Sequence, residues 1–184
     1  MIAGLAVPVG ELTNLANDTF TRVVANGWGT PDFGPAWTIL SGTAANYSTN
    51  GTVGLYTIQA QVAAIAMPLG VQDSTTVVSI NDITSGGAGS GKRILARETD
   101  ASNYVFAEVF GGGSPFTIRL SKRVAGAETV ILSTTKTLAN AINCRFTAEG
   151  QTLSARWWNQ TDTEPDAYDL ATGLGPAPVS GGVG

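Results

Sequence analysis

The chain has 184 residues, a formal net charge of −4 and a sequence pI of about 4.6. Charged residues make up only 13%, hydrophobic residues 43%, and there are 23 glycines, a composition that favours short strands and tight turns. One cysteine and no histidine exclude an internal disulfide, a His-based triad, a His-ligated zinc site and a His general base.

Scattered Lys and Arg give no electrostatic grip on nucleic acid or an anionic membrane surface. The pairs Lys92-Arg93 and Lys122-Arg123 read as solvated strand ends. No stretch approaches the roughly 20 apolar residues of a membrane helix. Met1–Val9 is apolar but lacks a basic start, so it does not read as a secretory signal.

In chain order, residues 1–17 read as a lead-in, with a helical turn expected over Glu11–Ala16. Strands are then expected over Thr19–Val24, Ala36–Leu40, Asn46–Thr49, Val53–Gln59 and Val62–Met67. Asn50-Gly51 marks a two-residue hairpin turn, which needs positive φ at both positions. Ser74–Ile83 alternates as a long strand. The Gly-rich loop Ser85–Gly91 leads into Arg93–Glu98, and Asp100–Asn103 is a polar turn. Tyr104–Phe110, Phe116–Lys122, Glu128–Ser133, Ile142–Ala148 and Thr152–Trp158 complete the series, with a tight turn at Glu149-Gly150. Short alternating strands separated by turn residues indicate an all-β antiparallel sandwich or barrel over residues 18–170. Residues 171–184 read as a Gly/Pro-rich linker.

Alternation also sorts faces. Ile142, Cys144 and Phe146 share one side, so Cys144 reads as a small buried hydrophobe. Leu153, Ala155 and Trp157 read as a core row, with Trp158 near the surface beside Pro165. Trp28 and Trp37 read as a plug at one end of the sandwich.

Candidate chemistry is sparse. Gly86–Arg93 imitates a phosphate-binding loop, but Arg93 stands where Ser or Thr must meet Mg²⁺, and a strand follows where a helix is needed. Glycoside hydrolysis needs two carboxyls on one face. Glu98 and Asp100 have the spacing, yet Asp100 begins a turn. Glu108 is alone on its strand. Glu164, Asp166 and Asp169 fall in a loop. No catalytic residue, metal ligand set or cofactor is therefore assigned, although calcium could use the oxygen ligands of Asp162–Asp169. The most informative surface is the stripe of Tyr104, Phe106, Glu108 and Phe110, opposite Val105, Ala107 and Val109. If the aliphatics are core, the aromatic row with Arg97 and Arg119 could stack sugar rings or dock a protein. Otherwise the aromatic row is itself core, or lies beneath a loop.

Asp18-Thr19-Phe20-Thr21-Arg22, Asn26-Gly27-Trp28-Gly29-Thr30 and Ala36-Trp37-Thr38 resemble the opening of a jelly-roll domain in actinobacterial phage minor tail proteins and bacterial surface proteins, of the form D-x-F-x-R…G-W-G-x…W. Leu153–Trp158 followed by Glu164-Pro165-Asp166-Ala167-Tyr168 resembles that family's L-R-x-K-x-W…E-P-x-x-W segment, with Tyr168 in place of Trp. The resemblance implies a lectin- or laminin-G-like jelly-roll β-sandwich, no catalytic residues, and a role in tail architecture or host attachment. Its implied partners are other virion tail proteins, copies of itself or a cell-surface glycan, on a virion or else a secreted or cell-surface protein. A carbohydrate-binding module is the alternative function and a glycosidase the third. The family pattern also implies further strands after Gly181–Gly184, and hence a longer natural chain or a neighbour completing the edge beside Asp18–Val24.

Overall fold

The computed structural model describes residues 14–57, 64–66, 73–84 and 91–173. The fold is all-β, with thirteen strands in several antiparallel sheets and one turn of 3-10 helix at Ala44–Asn46 among the described residues. The strands are β1 (Val23–Ala25), β2 (Thr38–Ser41), β3 (Tyr47–Asn50), β4 (Gly54–Tyr56), β5 (Ala64–Ala66), β6 (Ser74–Ile80), β7 (Gly91–Asp100), β8 (Asn103–Phe110), β9 (Phe116–Val124), β10 (Ala127–Lys136), β11 (Ile142–Glu149), β12 (Thr152–Asn159) and β13 (Leu170–Gly173).

Two four-stranded sheets dominate. One is the meander β10-β9-β8-β7; the other has the order β13-β12-β11-β6. They share one apolar cluster. Val105, Ala107, Val109, Ile118 and Leu120 come from the first sheet, and Ile142, Cys144, Phe146, Leu153, Ala155 and Trp157 from the second. On β11 and β12 these are the alternate positions expected to point inward; on β8, where either row could have been core, it is the aliphatic row that joins this cluster. Cys144 is fully buried, and burial pushes its thiol pKa far up, so it is packing rather than a nucleophile. Ile83 lies beyond the end of β6 but is also fully buried. Its N–H is taken by Asn140, and Asp82 Oδ1 accepts from the Thr84 N–H, which ends the strand expected to reach Ile83.

The smaller sheets are β1-β3-β4 and β2-β5. The expected strand over Thr19–Val24 begins only at Val23, because Asp18 bends the chain. Its Oδ1 accepts the Phe20 N–H at 2.9 Å, and Phe20 has φ 56°. The Asn50-Gly51 hairpin forms, but as a longer loop. Asn50 ends β3 and its Oδ1 accepts the Thr52 and Val53 N–H groups, while Gly51 has φ 90°. At the other end, β13 pairs with β12 through Ala171, Thr172 and Gly173, so sheet pairing runs past residue 170 into what composition reads as linker. The helical turn expected over Glu11–Ala16 begins outside the described residues, and the phosphate-loop-like segment lies outside them as far as Ser90.

Phe146 fills the interface between the two large sheets at 1% exposure. Phe146→Ala should lower stability by about 3–5 kcal/mol, the usual cost of an aromatic-sized cavity. Urea unfolding checks it: a loss below about 1 kcal/mol would mean that the sheets do not share this core.

Candidate functional site

The stripe on β8 faces away from the shared core, as the alternation requires, but it is not an open surface. Tyr104 and Phe106 are 3% and 0% exposed, and Glu108 is 3% exposed. What covers them follows from register. Glu108 stands opposite Arg93 on β7 and Arg119 on β9, and Tyr104 stands opposite Arg123. The Arg93 guanidinium lies 4.4 Å from the Phe106 ring centroid, Arg119 lies 4.4 Å from Phe110, and Arg123 lies 5.9 Å from Tyr104. The rings thus give their π faces to cations and their apolar area to arginine stems.

The same guanidiniums hold the carboxylates. Arg93 Nε donates to Glu108 Oε1 at 2.7 Å, and Arg119 Nε donates to Oε2. The outer edge of Arg93 donates to both oxygens of Glu128, at 2.6 and 3.1 Å, and Arg123 reaches Glu128 at 3.4 Å. Burial alone would raise the Glu128 pKa, but the Arg93 hydrogen bonds outweigh it and hold the carboxyl below its ordinary value. Arg93 and Arg123 are therefore not solvated strand ends; they roof the sheet. Sequence could not show this, because the cross-strand partners depend on register.

Arg97 stands apart from this group. A bulge between Ala96 and Asp100 breaks the alternation, Arg97 takes φ 52°, and its guanidinium donates to Asp73 at 3.0 Å and the Gly150 carbonyl at 2.7 Å. Of the six candidate residues, Tyr104, Phe106, Glu108, Phe110 and Arg119 come together, while Arg97 ties β7 to the β11–β12 turn.

A second ion-pair cluster, which residue types alone did not reveal, lies on the second sheet. Arg145 and Arg156 are cross-strand partners. Glu164, from the loop after β12, accepts from Arg145 Nη2 at 2.9 Å and Arg156 Nε at 2.6 Å. Arg156 also donates to the Asp166 carbonyl at 2.7 Å and lies 4.9 Å from the Tyr168 ring centroid. The Glu-Pro-x-x-Tyr segment is thereby pinned back onto the sheet. Asp169 closes the loop by accepting from Lys136 Nζ and the Trp157 N–H. Trp158 is buried at 8% exposure, not near the surface.

In the opening motif Asp18 binds Arg22 and Trp37, and the Arg22 guanidinium in turn donates to the Trp28 carbonyl. The Asp18 carboxylate takes both Nη atoms of Arg22 at 2.7 Å and Trp37 Nε1 at 2.6 Å. Phe20, Trp28, Trp37 and Tyr47 pack edge-on or stacked against one another. Gly54 is required here, since a Cβ on it would lie 2.8 Å from the Phe20 ring and 2.9 Å from Trp28.

Among the described residues no group of three or more acidic or cysteine side chains is placed to hold a metal. In the loop proposed for calcium, the Asp162, Glu164 and Asp169 carboxylates are each engaged by neighbouring donors. No helix among the described residues is long and apolar enough to cross a membrane. Set against known proteins, the chain matches no family model, no curated sequence and no solved structure.

Two measurable consequences follow from the ion pairs. The Arg145 hydrogen bond, strengthened by Arg156, holds the Glu164 carboxyl down to about 2 against an ordinary 4.5. Its stabilising contribution is complete above pH 4.5 and is lost as pH falls toward 2. Glu164→Gln should flatten the acid limb of stability across that window in a pH series of thermal melts; an unchanged limb would count against the pairing. On the other sheet, a Cβ on Gly91 would overlap the Glu108 carboxylate, lying 2.9 Å from its Cδ. Gly91→Ala and Glu108→Ala should each cost roughly 3 kcal/mol, the low end for breaking a buried pair, because both arginines keep contact with water. The double variant should cost much less than the sum, as expected for groups sharing one contact.

Proposed function

We propose that the chain is a structural virion protein, a minor tail or tail-tip component on a jelly-roll sandwich, assembling with other tail proteins or copies of itself. The observation that carries this reading is the convergence of Asp18, Phe20, Arg22, Trp28 and Trp37 on one hydrogen-bonded aromatic hub. The residues that resemble the tail-protein opening thus act as a folding staple, a use consistent with an architectural domain. The jelly-roll topology is supported by the pairing of β6 with β11, between which the whole β7–β10 meander crosses to the facing sheet.

The closed roof over Tyr104 and Phe106 argues against sugar stacking on that face, since both rings are buried, at 3% and 0% exposure. It also weakens a glycosidase reading. A general acid needs a proton at working pH and therefore a raised pKa, whereas Arg145 and Arg156 hold the Glu164 carboxyl well below its ordinary value. Asp100 is committed to its turn, accepting from the Ser102 N–H and Asn103 Nδ2.

The test is localisation in the native source. Mass spectrometry of gradient-purified particles, with immunogold labelling by an antibody to this chain, should find it in the tail fraction. Recovery only from particle-free medium or the cell envelope would sink the virion reading in favour of a secreted or surface protein.

A further inference from the structure

The outer face of the second sheet carries a shallow groove of about 300 Å³, lined by Thr147, Glu149, Thr152, Ser154, Tyr168 and Ala171. Register explains its floor: Thr147, Ser154 and Ala171 are successive cross-strand partners on β11, β12 and β13. All three side chains are small, so the sheet is locally low. Its wall is Tyr168, which the Arg145–Glu164–Arg156 clasp raises beside the floor.

Three observations point to a ligand. Ser154, 6% exposed, places a hydroxyl in the lining of the groove, where a ligand hydroxyl can bond it. Tyr168 is 43% exposed, yet it is fixed, with Arg156 against its ring and the flanking Glu164 and Asp166 tied to the sheet. An exposed ring held rigid is a pre-organised stacking surface, for which ordering on binding costs little. Among the described residues the only charged lining group is the exposed carboxylate of Glu149, an acceptor for neutral hydroxyls and a repulsive neighbour for an anionic ligand.

We propose that this groove is a binding site for a neutral saccharide, with Tyr168 as stacking platform and Ser154 and Glu149 as the polar contacts. An aromatic ring beside convergent hydroxyls and one carboxylate suits a sugar, which offers an apolar C–H face and a rim of hydroxyls. The proposal does not depend on the virion reading, since a site on the outer sheet face would serve a tail, a secreted module or a surface protein equally.

The test uses the full chain, a glycan array of neutral and acidic oligosaccharides, and NMR titration with neutral gluco-, galacto- and manno-configured trisaccharides. The expected result is binding of at least one neutral glycan, with shifts confined to β11–β13 and the Tyr168 loop. Tyr168→Ala should weaken it at least tenfold with an unchanged melting temperature. Val130→Ala, at an exposed position on the other sheet, should leave binding intact. The proposal is overturned if no neutral glycan binds at millimolar concentration, if only acidic glycans bind, or if Tyr168→Ala binds as well as the parent. Localisation and glycan binding are read separately, so either idea can fail without the other.

Discussion

Glu108 sits in the middle of the outer face of the first large sheet, with an arginine Nε on each carboxylate oxygen and a glycine where β7 passes it. A carboxylate at 3% exposure is tolerable only when both oxygens are paired. Satisfying it places Arg93 and Arg119 in fixed poses, and those poses carry their guanidiniums over Phe106 and Phe110. Arg93 then turns its outer edge to Glu128, which gathers Arg123 over Tyr104. One buried carboxylate thus organises the whole roof, and β8 becomes buried on both faces: aliphatic toward the shared core, aromatic beneath the arginines.

The second large sheet solves a similar problem differently. Its outer arginines, Arg145 and Arg156, are paired not from a neighbouring strand but from a loop, through Glu164. The loop is therefore drawn down across part of the sheet, while among the described residues nothing of it lies over the rows nearer the β11–β12 turn. That difference separates a sealed face from one with a groove. The chemistry available on the molecule follows from it: the aromatic-rich face is buried, and the sparser face offers the partly exposed ring of Tyr168.

The opening segment obeys the same rule of a carboxylate used as a hub. Burial opposes the charge on Asp18, yet hydrogen bonds from Arg22 and Trp37 outweigh it and keep the pKa below its ordinary value. Since the Phe20 N–H binds the same carboxylate, the bend before β1 and the aromatic packing behind it have one cause. The spacing of Asp18, Phe20 and Arg22 is thus a geometric requirement: one residue turns the chain and its i+4 partner closes the clasp.

Period-two alternation was enough to place most strands of the two large sheets and to sort β8, β11 and β12 into two rows each, because a strand's side-chain directions are local, but which row of β8 faced the core was left to the packing. Val105, Ala107 and Val109 had to share a side, as did Ile142, Cys144 and Phe146, whatever else happened. Alternation failed where a local side chain captured the backbone, at Asp18 and Asp82, or where a bulge reset the count, at Arg97. Whether the outward aromatics were open or roofed was not a local question. It depended on which residues of β7 and β9 stood opposite them, and cross-strand partners are set by register and turn length rather than by the strand's own sequence. The groove beside Tyr168 was hidden for the same reason. Thr147, Ser154 and Ala171 are ordinary residues in three separate strands, and only the pairing of β11, β12 and β13, with the loop pinned by Glu164, makes them one floor with one wall.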